Sequence, residues 1–377
     1  MKHFSLLRTL VVVLVIITAI MVGCKKKPVD NDIRVGVILP LTGDSAYMGV
    51  AFKSGMDLAL AQYEQKRAAE NLPEVKVFYE DSMDLSKNAV SAYQKLKSID
   101  KVDMYICVSG GWKALIPLAN ADKKVLFCSA VSPSRVTEGS EWTFRFYTSA
   151  DADAALMAKY AKEKLALHNI GILYVNDDFG SSYKDVFSSV FTEESNNTVI
   201  TEGFNPSDSD FRTVLAKFKS KRIDGLYLLG YGTNMGLVPK QMKEIGLNAT
   251  FLSIGTISLP DVMQLAGNSI NGTYYTTTQF NAYMPETKEL IDFVREYKTK
   301  YNQQPTFFEV FGFDSFNILA SVFKMSGKDS DKIRQGLLAV KDYKAAVGAV
   351  SFDENREASF PLKVRQIRNG ELVDAEW

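Results

Sequence analysis

Apolar runs and amphipathic stretches alternate along most of the chain. The run Ile33–Leu39 is almost continuously apolar, which is typical of a strand buried on both faces. The following segment places Phe52, Met56, Ala59 and Tyr63 at helical spacing on one face. Because the same alternation of strands and helices continues for most of the sequence, the pattern predicts βαβ units and parallel sheets.

Two series of alternating strands and helices are predicted, and they are joined near residues 143–150. The first continues with strands and helices at Val75–Tyr79, Ser86–Ile99, Val102–Val108, Trp112–Ala121 and Val125–Cys128. The second contains Ala154–Leu165, Ile170–Val175, Ser181–Glu194, Thr198–Gly203, Phe211–Lys221, Gly225–Leu229, Met235–Ile245 and Thr250–Ser253. Ligands of open parallel sheets bind at the loops that follow the carboxyl ends of the strands, so we expect a site in those loops.

The N-terminal segment has the features of a signal peptide. Lys2 and Arg8 precede the charge-free stretch Thr9–Gly23, whose 15 residues are fewer than the ~20 that a spanning helix needs. The stretch ends in Met21-Val22-Gly23-Cys24, which resembles a bacterial lipobox. We therefore predict a signal peptide over residues 1–23, a lipid on Cys24 and a tether over residues 24–32. The alternative is an uncleaved signal anchor.

The amino-acid composition argues against several classes of function. The 377 residues suit about two domains, and the 44 basic and 44 acidic residues give no bulk attraction to nucleic acid. Two histidines and three cysteines argue against histidine-based catalysis, zinc sites and a disulfide scaffold. Cys107 and Cys128 lie in neighbouring predicted strands, and we predict buried free thiols there, with a disulfide as the alternative.

The loops after the predicted strands contain hydroxyls, glycines and aromatic residues rather than a catalytic or cofactor motif. Neither a dinucleotide fingerprint nor a P-loop is present, so no enzyme, cofactor or metal site is predicted. Ser109 precedes a helix whose free N–H groups suit a carboxylate, although a serine there is also a common N-cap. Ser132 follows the next strand, and the two loops together favour an anion site. Nearby side chains suited to wall a pocket are Tyr47, Met48, Trp112, Phe179 and Tyr231.

Several motifs, in the same order along the chain, resemble those of the branched-chain amino-acid-binding proteins of ABC importers. They are Val35–Gly43 followed by Gly49, Tyr79–Ser82 with Asp84, Ser132–Ser134, Phe144–Tyr147, Asp177–Gly180, Asp210-Phe211 and Gly348–Asn355. The resemblance covers about residues 33–373. It implies a type I periplasmic-binding fold, an α/β architecture with two Rossmann-like lobes of parallel sheets joined by three crossovers. Lobe 1 would comprise residues 33–148 plus 279–349, and lobe 2 residues 149–278 plus 350–377.

The resemblance also implies roles for individual residues in a cleft between the lobes. Ser109, Ala130 and Ser132 match positions that hold a ligand carboxylate. Met48 matches a wall position where the family usually has an aromatic residue, and Phe179 matches a position where a tyrosine often stands, so the hydroxyl is lost here. Tyr231 matches a tyrosine that touches the ligand from lobe 2. With Trp112, these are the seven residues predicted to bind the ligand.

One position departs from the family pattern. The acid that often pairs with a ligand ammonium aligns with Gly255. A buried ammonium without a countercharge costs on the order of several kcal/mol. Either Asp177, Asp178 or Glu309 replaces that acid, or neutral acceptors such as Tyr231 serve, or the ligand is an apolar or aromatic carboxylate without an ammonium. Common branched-chain amino acids are therefore not expected to be the best ligands.

The resulting hypothesis is a monomeric, extracytoplasmic solute-binding lipoprotein without enzymatic activity. It would be anchored to the membrane by an N-terminal lipid and would deliver a small carboxylate, such as an amino acid or a related acid, to an ABC permease and its ATPase. The alternative is a ligand-sensing receptor component that uses the same cleft. An α/β enzyme is the third and weakest alternative.

Overall fold

The computed structural model describes residues 32–193 and 196–376. The predicted signal peptide over residues 1–23, the predicted lipidation site Cys24 and all but the last residue of the predicted tether lie outside these residues. Within the described ranges, no helix combines the length and the apolar character needed to cross a membrane.

Five parallel strands form the first sheet. They are β1 (Ile33–Leu39), β2 (Val75–Asp81), β3 (Met104–Val108), β4 (Leu126–Ser129) and β5 (Thr143–Phe146), in the order β2-β1-β3-β4-β5. The connecting helices are α1 (Ala46–Glu70), α2 (Ser86–Lys95, continued by a π turn at Leu96–Asp100) and α3 (Trp112–Asp122). β1 is buried at six of its seven positions, as its apolar run predicts.

The second sheet repeats this strand order and extends it. Its parallel strands are β6 (Asn169–Val175), β7 (Thr198–Phe204), β8 (Gly225–Leu229), β9 (Thr250–Ile254) and β10 (Tyr274–Thr278), in the order β10-β9-β8-β6-β7. The helices of this part are α4 (Ala150–Glu163), α5 (Asp178–Thr192), α6 (Arg212–Ser220), α7 (Asn234–Glu244) and α8 (Pro260–Ala266), with 3₁₀ turns at Gly255–Ser258 and Gly267–Ile270. Two antiparallel strands, β14 (Leu362–Arg368) and β15 (Glu371–Asp374), extend the β10 edge.

Between β10 and β14 the chain returns to the first sheet. This segment forms α9 (Lys288–Tyr301), α10 (Phe307–Ser326), α11 (Ser330–Leu338), β11 (Tyr343–Ala345), β12 (Gly348–Phe352) and β13 (Ala358–Ser359). Helix α10 packs so closely on α1 that a Cβ added to Gly55 would lie 1.9 Å from the carbonyl oxygen of Glu309. The Phe352 ring packs against Phe127 and Phe144 of the first sheet. The predicted lobe boundary at 349/350 thus falls inside β12, and the exact lobe limits stay a prediction.

The predicted α/β fold with parallel sheets is confirmed, and two local differences have physical causes. Helix α4 begins at Ala150 rather than at the predicted Ala154, because the Ser149 hydroxyl caps it by accepting from the N–H of Ala152 at 3.1 Å. The predicted connection near residues 143–150 contains strand β5, since Thr143–Phe146 pairs with β4.

The two cysteines of the first sheet are buried free thiols. Cys107 and Cys128 are direct partners in the register of β3 and β4, and both are free. A hydrogen bond with Cys128 and burial raise the pKa of the Cys107 thiol, so it stays protonated at neutral pH. The prediction of buried free thiols is confirmed, and the disulfide alternative is wrong.

Candidate functional site

The carboxyl ends of strands from both sheets open onto one cavity of about 420 Å³. All seven residues predicted to bind the ligand line it: Met48, Ser109, Trp112, Ala130, Ser132, Phe179 and Tyr231. Tyr47, Gly255, Asp177 and Asp178 also line it, whereas Glu309 does not. The structure therefore brings together segments that lie more than 200 residues apart in sequence.

The two serine loops form one wall of the cavity, which we call the serine wall (Ser109–Gly111 and Ala130–Ser132). Ser109 does not cap α3, because the N-cap of that helix is Gly111. Ser109 has φ 64° and Ala130 has φ 53°, a left-handed backbone that costs a residue with a side chain about 1 kcal/mol or more. The hydroxyls of Ser109 and Ser132 donate to no acceptor in the described part of the chain, so both remain available to a ligand.

An aspartate from the turn after β2 holds the first serine loop. Asp84 accepts hydrogen bonds from the N–H of Gly110 at 2.6 Å and from the hydroxyl of Ser45 at 2.8 Å. A Cβ on Gly110 would lie 2.5 Å from the same carboxylate, so only glycine fits there. Asp84, which the sequence analysis named with the motif Tyr79–Ser82, thus positions the Ser109 loop.

A buried arginine holds the second serine loop. Arg145 on β5 is 2% exposed, and its guanidinium donates to the carbonyl oxygens of Ser132 and Pro133. It also forms an ion pair with Glu357, which is half-buried. The N–H of Ala150 donates to the Ser132 carbonyl at 2.8 Å. These contacts fix the Ser132 backbone while leaving its hydroxyl unused.

The opposite wall carries aromatic rings and an acid. The Phe179 ring centroid lies 4.9 Å from that of Tyr183 and 6.2 Å from that of Tyr231. Asp177 caps α5 by accepting from the N–H of Gly180 at 2.8 Å, and its second oxygen accepts from the Tyr231 hydroxyl at 2.9 Å. Burial raises the pKa of Asp177, and these two hydrogen bonds oppose the shift. Its carboxylate is already engaged within the protein.

Sequence reasoning missed a second acid in this wall. Asp153, in the first turn of α4, lines the cavity and is only 4% exposed. One carboxylate oxygen accepts from the Tyr183 hydroxyl at 3.0 Å, while Oδ1 has no hydrogen-bond partner among the described residues. Burial raises the pKa of Asp153 to about 6. The signal in the sequence is Ser149 followed by acidic residues, which is typical of a helix N-terminus.

Other lining residues also come from segments to which the sequence analysis gave no role. They are Tyr147, Thr148, Thr276, Thr277, Thr278, Phe307, Phe308 and Phe311. The Tyr47 hydroxyl is buried and has no partner in the described chain, and its ring packs edge-on against Phe308. At Gly255 an added Cβ would meet only ordinary contacts, the nearest being the Thr276 carbonyl oxygen at 3.6 Å. Gly255 therefore leaves space that a side chain would occupy.

The cavity wall has a net acidic character. Four aspartates line it (Asp84, Asp153, Asp177 and Asp178), together with one lysine, Lys113. No group of three or more His, Cys, Asp or Glu side chains suited to a metal ion occurs in the described residues. The arrangement offers hydrogen-bond donors on the serine wall and carboxylates opposite, which suits the binding of a small polar ligand.

Comparison with known proteins identifies the family. The family model described as "Periplasmic binding protein" matches residues 32–371. The chain belongs to the periplasmic binding protein family. A leucine-, isoleucine-, valine-, threonine- and alanine-binding protein of Pseudomonas aeruginosa is 24% identical over 351 residues, which is 92% of this chain and 90% of the relative.

Solved structures show the same fold. A leucine binding protein from Thermotoga maritima matches with a TM-score of 0.83 at 23% identity, covering 91% of this chain and 98% of the other. A solute binding protein of an ABC transporter from Rhodopseudomonas palustris, in complex with 3,4-dihydroxy benzoic acid, matches with a TM-score of 0.81 at 22% identity, covering 92% and 96%. These likenesses confirm the type I periplasmic-binding fold and the resemblance on which its prediction rested.

Proposed function

We propose that this protein is an extracytoplasmic solute-binding lipoprotein that captures a small carboxylate and delivers it to an ABC importer. The observation that carries the proposal is the cavity between the two sheets, with the unused hydroxyls of Ser109 and Ser132 on one wall. Its volume of about 420 Å³ falls within the range of small-molecule sites. The ligand carboxylate would accept hydrogen bonds from both hydroxyls and from the N–H groups at the start of α3.

The remaining predicted residues would enclose the rest of the ligand. Met48 and Trp112 come from the side of the first sheet, and Phe179 and Tyr231 from the side of the second. An apolar or aromatic part would pack among these side chains, while Ala130 would allow the ligand to approach the backbone closely.

An ion pair spans the cavity. Lys113 on α3 contacts Asp178 on α5, with the Nζ–Oδ2 distance at 2.6 Å and both side chains more than half exposed. Because these helices flank different sheets, the pair links the two sides at the rim. Closure of two lobes around a ligand by hinge motion would bring such rim contacts together.

The relatives support the ligand class. Some are named for binding amino acids, and a structural neighbour was solved with a dihydroxybenzoic acid. Both kinds of ligand carry a carboxylate, which is the group that the serine wall suits. Neighbours described as solute binding proteins of ABC transporters support a permease and its ATPase as partners.

Thermal unfolding of the full chain in detergent tests the binding proposal. A ligand that binds only the folded state raises the melting temperature, so amino acids and aromatic acids at millimolar concentration form the screen. We expect at least one small carboxylate to raise it. If none does, and calorimetry detects no binding, the proposal is wrong.

Membrane attachment is tested separately at Cys24, the proposed lipidation site. Cys24→Ala is expected to block processing at residue 23 or to release the protein from the membrane fraction. Mass spectrometry that finds an uncleaved chain with an unmodified Cys24 would contradict the lipid anchor.

A further inference from the structure

Most acids in or near the cavity are already paired within the protein. Asp84 accepts from the N–H of Gly110 and from the hydroxyl of Ser45, so both its oxygens are engaged. Asp178 forms the exposed ion pair with Lys113. These carboxylates hold protein groups in place and have no buried oxygen left for a ligand.

The two remaining acids considered from the sequence are likewise engaged. Asp177 accepts from the N–H of Gly180 and the hydroxyl of Tyr231. Glu309 forms a capping box with Thr306 at the start of α10 and does not line the cavity. Neither offers an unused oxygen in the cavity wall.

Asp153 differs from all of them. It is buried and lines the cavity, and its Oδ1 has no hydrogen-bond partner among the described residues. The Thr276 hydroxyl also lines the cavity and lies near enough to Asp153 to lower the pKa of that carboxyl, although neither Thr276 Oγ1 nor Asp153 Oδ1 forms a hydrogen bond of good geometry with the described residues. The other oxygen of Asp153 is fixed by the Tyr183 hydroxyl at 3.0 Å, which sets the orientation of the carboxylate.

An unpaired buried carboxylate is unfavourable unless something pairs with it. Among the described residues, the cavity wall contains one cationic side chain, Lys113, and it already contacts Asp178. A ligand with only a carboxylate would add negative charge to a wall that carries four aspartates. A ligand that brings a cationic nitrogen would instead compensate Asp153, while its carboxylate meets Ser109 and Ser132.

We propose that the Asp153 carboxylate is the counter-charge for a cationic nitrogen of the ligand, and that the site takes zwitterionic amino acids in preference to carboxylates without nitrogen. This inference rests on the proposed function and adds the residue that selects the ligand class. Tyr183 is then a positioning residue, since its hydroxyl donates to the other oxygen of the carboxylate and so orients it.

Calorimetric titration of the full chain in detergent tests the inference with matched ligands. The twenty common amino acids are screened first, and each binder is compared with its deaminated counterpart, such as phenylalanine with 3-phenylpropanoate or leucine with 4-methylpentanoate. We expect the deaminated acid to bind at least 100-fold more weakly. This arm uses the wild-type protein and does not depend on the folding of any variant.

The second arm uses Asp153→Asn, which keeps an acceptor for Tyr183 and removes the charge. We expect amino-acid affinity to fall at least 100-fold, because breaking one half of a buried ion pair leaves the other charge unpaired. The matched control is Asp151→Asn, an exposed acid on the same helix turn, which should bind within threefold of wild type.

The outcomes separate the two proposals. Affinity of a folded Asp153→Asn variant within tenfold of wild type would overturn the inference, and so would a preference of the wild type for the deaminated acids. Either result would leave the proposed function standing. Absence of binding by every amino acid and carboxylate would overturn the proposed function itself.

Discussion

The two walls of the cavity present opposite chemistry, although the sheets that carry them share one strand order. The serine wall offers hydroxyls and N–H groups without a full charge, in loops held by Asp84 and Arg145. The facing wall offers rings and a buried carboxylate, Asp153, with one oxygen unpaired. Two sheets of the same topology therefore present hydrogen-bond donors on one side of the cavity and acceptors on the other. Together these groups complement a molecule that carries both a negative and a positive charge.

Loss of the serine wall should have the largest effect on binding. The double variant Ser109→Ala/Ser132→Ala is expected to weaken affinity at least about 100-fold, since each charge-assisted hydrogen bond contributes roughly 1.5–3 kcal/mol. Ser109→Ala alone should cost about 10- to 100-fold. Calorimetry measures both, with Ser134→Ala as control, because Ser134 lies nearby, donates to Asp151 and does not line the cavity. Full affinity in the double variant would show that the serine wall does not bind the ligand carboxylate.

Replacement of Asp153 by a neutral residue should stabilise the ligand-free protein at alkaline pH. Burial raises the pKa of Asp153 to about 6, above the unfolded value near 4, so its contribution to stability is lost as pH rises through this window. At pH 8 Asp153→Asn should raise the free energy of unfolding by up to about 3 kcal/mol, with little change at pH 4. Denaturant unfolding without ligand measures this. A variant less stable than wild type at pH 8 would indicate a structural role for the acid.

Binding should depend on pH only while the acid is present. Below pH 6 the empty site holds a protonated Asp153, so amino-acid affinity should fall about tenfold between pH 8 and pH 5. The titratable groups coupled to it are the phenols of Tyr147, Tyr183 and Tyr227, whose pKa values are raised by burial above this range. Asp153→Asn should show weak affinity that does not change with pH. Equal pH profiles for the two proteins would assign the titration to another group.

The exposed ion pair at the rim should matter least. Lys113 and Asp178 are 2.6 Å apart, but more than half of each side chain is exposed, and such pairs contribute little. Lys113→Ala should therefore change amino-acid affinity less than threefold in a calorimetric titration at physiological salt. A much larger loss would place the rim contact, rather than the two walls, at the centre of recognition.

The serine wall was predictable because its signals are local. Ser109 and Ser132 each follow a buried strand, and parallel strands of one sheet end at the same edge. Ser109 does not cap α3, because the N-cap residue is Gly111, which has a left-handed backbone. The sequence pattern placed these residues together but did not specify what holds them.

The acid was not predictable in the same way. The apolar spacing of α4 suggested a start at Ala154, which left Asp153 outside the helix, whereas the Ser149 cap adds the preceding turn. The burial of Asp153 also depends on Tyr183 and Thr276, which are distant in sequence. Which acids stay unpaired is a property of tertiary packing, so Asp177, Asp178 and Glu309 looked equally suitable from the sequence.

A crystal structure of the full chain with a bound amino acid would show directly which side chains hold its carboxylate and its nitrogen. We expect the ligand carboxylate within about 3 Å of the Ser109 and Ser132 hydroxyls, and the ligand nitrogen within about 3 Å of the Asp153 carboxylate. A ligand nitrogen paired with Asp177 or Asp178, or a ligand bound outside this cavity, would contradict it.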